Sequence, residues 1–127
     1  DTGIVRSVGL FKRSGFLPDP VHVSLVMGVA SGMPAKAAWL PLLIDEVPEG
    51  AHWQTIVIGR EEVWDVHRAT AELGGHVRTG LEDTFYLPDG TKATSNGQLI
   101  QALAKTVVES GRTVSDIGHT RAMYGLA

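Results

Sequence analysis

The stretch Gly74-Gly75-His76-Val77-Arg78-Thr79-Gly80-Leu81-Glu82-Asp83 decides how the rest of the chain is read. A glycine pair closes a segment of helical period, a short strand-like run follows, and the run ends in an arginine and two adjacent carboxylates. A strand buried inside an α/β protein reads as an unbroken apolar run, so charges gathered at its exit need partners or a chemical task. In barrels built from parallel strands, that exit is where catalytic groups stand.

Upstream, Val63, Val66, Thr70 and Leu73 recur at helical spacing behind Glu61 and Glu62, two residues suited to a helix N-terminus. Trp53 to Ile58 reads as the strand before that helix. Earlier still, Pro34 suits the first turn of a helix from Ala35 to Glu46, with Ala38, Trp39, Leu42 and Leu43 as its apolar stripe. Val21 to Met27 reads as a buried strand ended by Gly28, and Ile4, Val5, Val8, Gly9 and Phe11 or Lys12 mark a first helix stopped by Gly15, Pro18 and Pro20. Downstream, Pro88-Asp89-Gly90 marks a loop and Thr94-Ser95-Asn96 caps a helix whose stripe is Leu99, Leu103 and Val107. A short helix from about Ser115 to Tyr124 closes the chain.

This alternation predicts consecutive βα units, a parallel sheet and right-handed crossovers. Three strands cannot close a barrel, which needs about eight. The expectation is an α/β fold, either a small open domain or one half of a barrel.

The chain has 127 residues, is 43% hydrophobic and carries a formal net charge of -3, the proportions of one soluble, mildly acidic unit. It has no run of Lys and Arg, and its net charge opposes phosphate, so nucleic acid is not an expected partner. The lack of cysteine excludes a disulfide framework and thiol chemistry and fits a cytoplasmic setting. No apolar run approaches the roughly 20 residues of a membrane span, and no G-x-G-x-x-G or P-loop pattern is present. The chain opens at Asp1-Thr2-Gly3 and enters a helical pattern almost at once, as the middle of a larger protein would.

The 74–83 stretch, followed by Ser95-Asn96 and Gln98-Leu99-Ile100, closely resembles the C-terminal signature of the beta-keto acid cleavage enzymes. Gly28-Val29-Ala30-Ser31-Gly32-Met33-Pro34, Ile58-Gly59-Arg60 and Gly111-Arg112 extend the resemblance along the chain in the same order. The resemblance implies that residues 1–127 form the C-terminal half of a (β/α)8 TIM barrel, approximately helix five to helix eight, with the N-terminal half absent. It further implies a divalent metal, usually Zn2+, and a Claisen-type exchange in which a beta-keto acid and acetyl-CoA become acetoacetate and a new acyl-CoA.

On the same resemblance Glu82 is a metal ligand, joined in the family by a His-x-His pair from an early strand. This chain has His22, His52, His67, His76 and His119 and no such pair, so the N-terminal half of the barrel is an expected partner. Arg78 is the catalytic cation, planar, permanently charged and able to hold a carboxylate or oxyanion. Asp83 joins the catalytic acid/base network. Thr84 stands where the family usually has asparagine, a change that bears on substrate contacts. A homo-oligomer is expected.

Each residue also has a plainer reading. Arg78 with Glu82 or Asp83 fits a structural ion pair. His76 fits a hydrogen-bonded core residue on the same strand face as Arg78 and Gly80, and His67 fits the surface of its helix. Trp39, Trp53 and Trp64 read as core or interface aromatics, Asn96 as a helix-start residue, and Gly28 and Gly32 as turn formers. The contrasting function is a non-catalytic α/β half-barrel that self-associates or completes a partner's barrel, because unpaired strand edges invite association.

Overall fold

Alternating burial along the first strand sets the layers of the molecule. In the computed structural model, which describes residues 1–126, α1 (Thr2–Arg13) leads to β1 (His22–Met27), and a 3-10 turn (Ala37–Trp39) to α2 (Leu40–Ile44) and β2 (His52–Val57). Then come α3 (Val63–Glu72), β3 (His76–Val77), α4 (Asn96–Glu109) and α5 (Ile117–Met123). The strands form one parallel sheet in the order β1-β2-β3, with His22 opposite His52 and Gln54 opposite His76.

Val23, Leu25 and Met27 are buried, and His22, Ser24 and Val26 between them are exposed. The register carries this division into β2, where Thr55 and Val57 are buried and His52, Gln54 and Ile56 are half-buried. The helices therefore cover one face of the sheet, where Leu40, Leu43, Val63, Val66 and Leu99 complete the core. The other face is largely open, touched at the strand starts by Tyr124 stacked on His22, although parallel sheets are normally covered on both. Across it Gln54 Nε2 donates to Ser24 Oγ at 2.9 Å.

Local chemistry explains the element ends. Asp1 caps α1 by accepting from the Ile4 amide at 3.0 Å, and Gly15 beyond the helix adopts φ 74°. Ser95 caps α4 by accepting from the Gln98 amide at 3.3 Å, while Gln98 Oε1 accepts from the Thr94 amide at 2.8 Å, a reciprocal arrangement akin to a capping box. Two glycines mark close approaches. A Cβ on Gly28, at φ 85°, would lie 1.7 Å from the Ile58 carbonyl oxygen, and one on Gly75 would lie 2.5 Å from the Trp53 indole. Under that indole layer Thr55 and Thr70 share a buried hydrogen bond of 2.9 Å. Thr70 donates to the Val66 carbonyl at 2.7 Å, so Thr55 supplies the proton between the two hydroxyls.

The sequence pattern misplaces three features. The expected helix from Ala35 to Glu46 begins as a 3-10 turn and becomes α-helical only at Leu40, with Pro41 in its first turn. The tighter turn shifts the phase of the apolar stripe: Leu40 and Leu43 are buried, whereas Trp39 and Leu42 are exposed. The third strand shrinks from the expected His76 to Thr79 to His76–Val77. His67 is not on the surface; it is 1% exposed and packs edge-on against Trp64 at 5.8 Å. No helix among the described residues is long and apolar enough to cross a membrane.

Neither ring nitrogen of His67 has a hydrogen-bond partner among the described residues, and burial pushes its pKa down to about 4. The folded state thus keeps His67 neutral where the unfolded chain would protonate it. Its contribution to stability is intact above about pH 6.5 and is lost as pH falls toward 4, at up to about 1.4 kcal/mol per pH unit. Urea titrations at pH 7 and pH 5 will show the protein losing stability at pH 5, and His67→Leu will flatten that dependence.

Candidate active site at the strand exits

Strands β2 and β3 part after Val77 and rejoin where the Gly59 amide donates to the Asp83 carbonyl at 3.2 Å. Between those points the chain turns on Gly80, whose carbonyl accepts from the amides of Asp83 at 2.9 Å and Thr84 at 3.0 Å. Asn96, at the start of α4, accepts the Leu81 amide on its Oδ1 at 2.8 Å and fastens the turn from the other side. Capping alone does not account for this residue; Ser95 performs the cap, and Asn96 holds the loop that carries the charges.

Those charges meet as the sequence suggests. Arg78 Nη2 donates to Glu82 Oε2 at 2.7 Å and to Asp83 Oδ1 at 3.1 Å. Their environments differ sharply: the Asp83 side chain is 3% exposed, that of Arg78 41% and that of Glu82 83%. A carboxylate out of water depends on its cation, whereas an exposed pair contributes little. Arg78–Asp83 therefore governs the local energetics. Asp83 Oδ2 and the neighbouring Thr79 Oγ1 are buried with no hydrogen-bond partner among the described residues, the kind of orphan that marks a functional site or a missing partner.

Thr84, next in the chain after Asp83, is 2% exposed. Its hydroxyl accepts from the Tyr86 amide at 3.2 Å and lies 3.5 Å from the Arg60 carbonyl, to which it donates. This second tie between the β2 and β3 exits is invisible in the sequence. A groove of about 490 Å³ runs from Arg78 and Thr79 along the free side of β3, walled by Ile100 and Leu103 of α4 and by Arg112 and Tyr124.

Among the described residues, no group of three His, Cys, Asp or Glu side chains is placed to hold a metal ion. Glu82 offers one donor atom, Oε1, that makes no hydrogen bond among the described residues. A catalytic zinc site takes three protein ligands, a set that the described residues do not bring together.

The histidines assemble elsewhere. His22 and His52 stack at the strand starts with ring centroids 5.0 Å apart, His76 follows at 6.1 Å from His52, and Tyr124 stacks on His22 at 4.7 Å. Burial lowers the His76 pKa, and the positive fields of His52, Arg112 and His22 add to the effect. The His76 ring has no hydrogen bond among the described residues, so it packs against another imidazole rather than serving as a hydrogen-bonded core side chain. The sequence signal was present: each strand begins with histidine, and parallel register aligns strand starts.

A family profile described as beta-keto acid cleavage enzyme matches residues 1–126. The chain belongs to that family. Among curated beta-keto acid cleavage enzymes it is 31% identical over 126 residues to the 3-keto-5-aminohexanoate cleavage enzyme of Fusobacterium nucleatum, covering 99% of this chain and 45% of that enzyme. It is 32% identical over 129 residues to the 3-oxoadipate:acetyl-CoA acetyltransferase of Cupriavidus necator, covering 99% of this chain and 45% of that enzyme. Against the 3-dehydrocarnitine:acetyl-CoA trimethylamine transferase of Rhizobium meliloti, identity is 36% over 111 residues, covering 87% and 36% respectively. The chain thus spans about half the length, or less, of the curated relatives it matches.

The difference in burial between the two carboxylates gives a direct test. Arg78→Met leaves the Asp83 carboxylate buried without its cation and will destabilise the protein by about 3 kcal/mol. Glu82→Gln will change stability by less than about 1 kcal/mol. Urea unfolding at pH 7 measures both, and equal effects would refute the assignment of the energetics to Arg78–Asp83.

Proposed function

We propose that this chain is the C-terminal half of a (β/α)8 barrel, from about helix five to helix eight. In this reading the assembled protein exchanges a beta-keto acid with acetyl-CoA, giving acetoacetate and a new acyl-CoA. The observation that carries the reading is the Arg78–Asp83 pair at the exit of the last strand, with Asp83 Oδ2 buried and unpartnered, in a chain of this family. The relatives add chemical context: two names specify acetyl-CoA, and all three specify a 3-keto or 3-dehydro acid.

The chemistry follows from acidity and charge. The C2 hydrogens of a beta-keto acid lie between a ketone and a carboxylate, so a positioned carboxylate can remove one. Asp83 Oδ2 accepts that proton, while Arg78 holds Oδ1 and orients the group. The C2 carbanion forms a bond to the acetyl carbonyl carbon, and coenzyme A leaves as thiolate. The thiolate then adds to the original keto carbon. The bond from that carbon to C2 breaks with its electron pair on C2, and Asp83 returns the proton to yield acetoacetate. Oxyanions form at both carbonyl additions, and the part of Arg78 exposed beside Asp83 supplies fixed positive charge there.

Glu82 is, in this proposal, the metal ligand contributed by this half, with the His-x-His pair supplied by the N-terminal half. A bound divalent metal, Zn2+ by the family resemblance, supplies Lewis-acid polarisation of a keto oxygen. The open sheet face and the free edges of β1 and β3 support a barrel completed by further strands. The same edges suit a homo-oligomer, but two copies of this sheet bring six strands, short of the roughly eight needed for a filled barrel. Self-association alone is therefore the weaker reading. A cytoplasmic setting belongs to the proposal, since the chain has no cysteine that would use an oxidising compartment.

The test is the exchange reaction in the full-length protein, with each product followed by mass spectrometry. Asp83→Asn keeps the shape of the side chain and removes the base, and it will lower kcat by about 10²- to 10⁴-fold. Glu82→Gln will lower the bound metal measured by elemental analysis. Activity of Asp83→Asn equal to that of the parent enzyme would refute the proton-transfer role.

A further inference from the structure

Two arginines stand at the strand exits, and the roles argued above use only Arg78. We infer that Arg60, laid across Tyr86 at the exit of β2, forms an anion-binding subsite that receives a carboxylate or phosphate of one substrate. This inference rests on the reaction proposed above.

Three observations converge on it. First, Arg60 is fastened to the candidate site by its backbone. The Gly59 amide bonds the Asp83 carbonyl at 3.2 Å, and the Thr84 hydroxyl reaches the Arg60 carbonyl at 3.5 Å. The root of the Arg60 side chain is therefore tied to the residues carrying the Arg78–Asp83 pair.

Second, the guanidinium is held in place without using its fork. Its Cζ lies 4.3 Å from the Tyr86 ring centroid, a cation–π contact that consumes no hydrogen bond to an oxygen acceptor. The tyrosine is itself anchored, its amide on Thr84 Oγ1 at 3.2 Å and its carbonyl on Trp64 Nε1 at 3.0 Å. A side chain ordered before binding loses less entropy when a ligand arrives.

Third, the two arginines are used differently. Arg78 Nη2 serves both carboxylates. Arg60 has only a long contact from Nε to Glu61 Oε2 at 3.5 Å, between side chains 64% and 55% exposed, and its terminal amino groups have no partner among the described residues. Glu61 is a weak competitor in that geometry. Both proposed substrates are anions, the keto acid through carboxylate and acetyl-CoA through phosphate, and a planar fork suits either oxyanion bidentately.

The experiment measures KM for the keto acid and for acetyl-CoA separately in the full-length protein and in Arg60→Met, Arg60→Lys and Tyr86→Leu, each checked for folding by thermal melting. Arg60→Met will raise one KM by roughly ten- to a hundredfold, the range of a charge-assisted hydrogen bond, with a smaller fall in kcat. Arg60→Lys will recover part of the loss, and Tyr86→Leu will raise the same KM by less. The source of the anion follows from which KM moves. A rise for acetyl-CoA that disappears with acetylpantetheine, which lacks the nucleotide phosphates, assigns the subsite to phosphate; a rise for the keto acid assigns it to carboxylate. Folded Arg60→Met and Arg60→Lys proteins with both KM values within twofold of the parent would overturn the subsite while leaving the reaction intact. A full-length parent that exchanges no keto acid would overturn the reaction reading, and the subsite with it.

Discussion

A parallel strand cannot be followed by a tight turn into its neighbour; the chain must be carried back to the same end of the sheet, and here helices do it on one face. That constraint organises the molecule. It places every strand start at one rim, where His22, His52 and His76 fall beside one another. It places every strand exit at the other rim, where Gly28 presses on Ile58, Gly59 bonds Asp83, and Arg78 meets both carboxylates. The opposite sheet face is left largely uncovered, with Tyr124 on His22 at its edge.

The exit rim is held by hydrogen bonds between segments as well as by the Arg78–Asp83 pair. The exposed Arg78–Glu82 contact adds little in water, and the sheet pairing between β2 and β3 ends after two residues. Beside the Arg78–Asp83 pair, hydrogen bonds at Gly59, Asn96 and Thr84 each reach from one segment to another. Asp83 sits where these ties converge, which allows a carboxylate to remain buried beside a single arginine with one oxygen unpartnered.

Much of this was legible from residue types. Glycine stops, proline breaks and helical spacing located each strand and the long helices, because those signals act within a few residues of themselves. The charge cluster was legible too: Arg78, Glu82 and Asp83 are close in sequence, so proximity in space followed from one turn. The failures share a different cause. The α2 stripe was misphased because a 3-10 turn preceding Pro41 changes the angular step per residue. His67 read as surface because a polar ring on an amphipathic helix gives no local sign of the Trp64 packed over it. The Asn96–Leu81 and Thr84–Arg60 ties join residues 15 and 24 positions apart, and no local pattern encodes them.

The open sheet face has a consequence for how the chain meets water. His22, Ser24, His52 and Gln54 point to that side alongside Val26 and Ile56, so most of its side chains can be hydrated. A wholly apolar face would drive newly made chains to coalesce with one another. This one is wettable, and its Ser24–Gln54 hydrogen bond is satisfied without a partner. A sheet face of this composition stays compatible with contact with water, and leaving it uncovered costs the fold little.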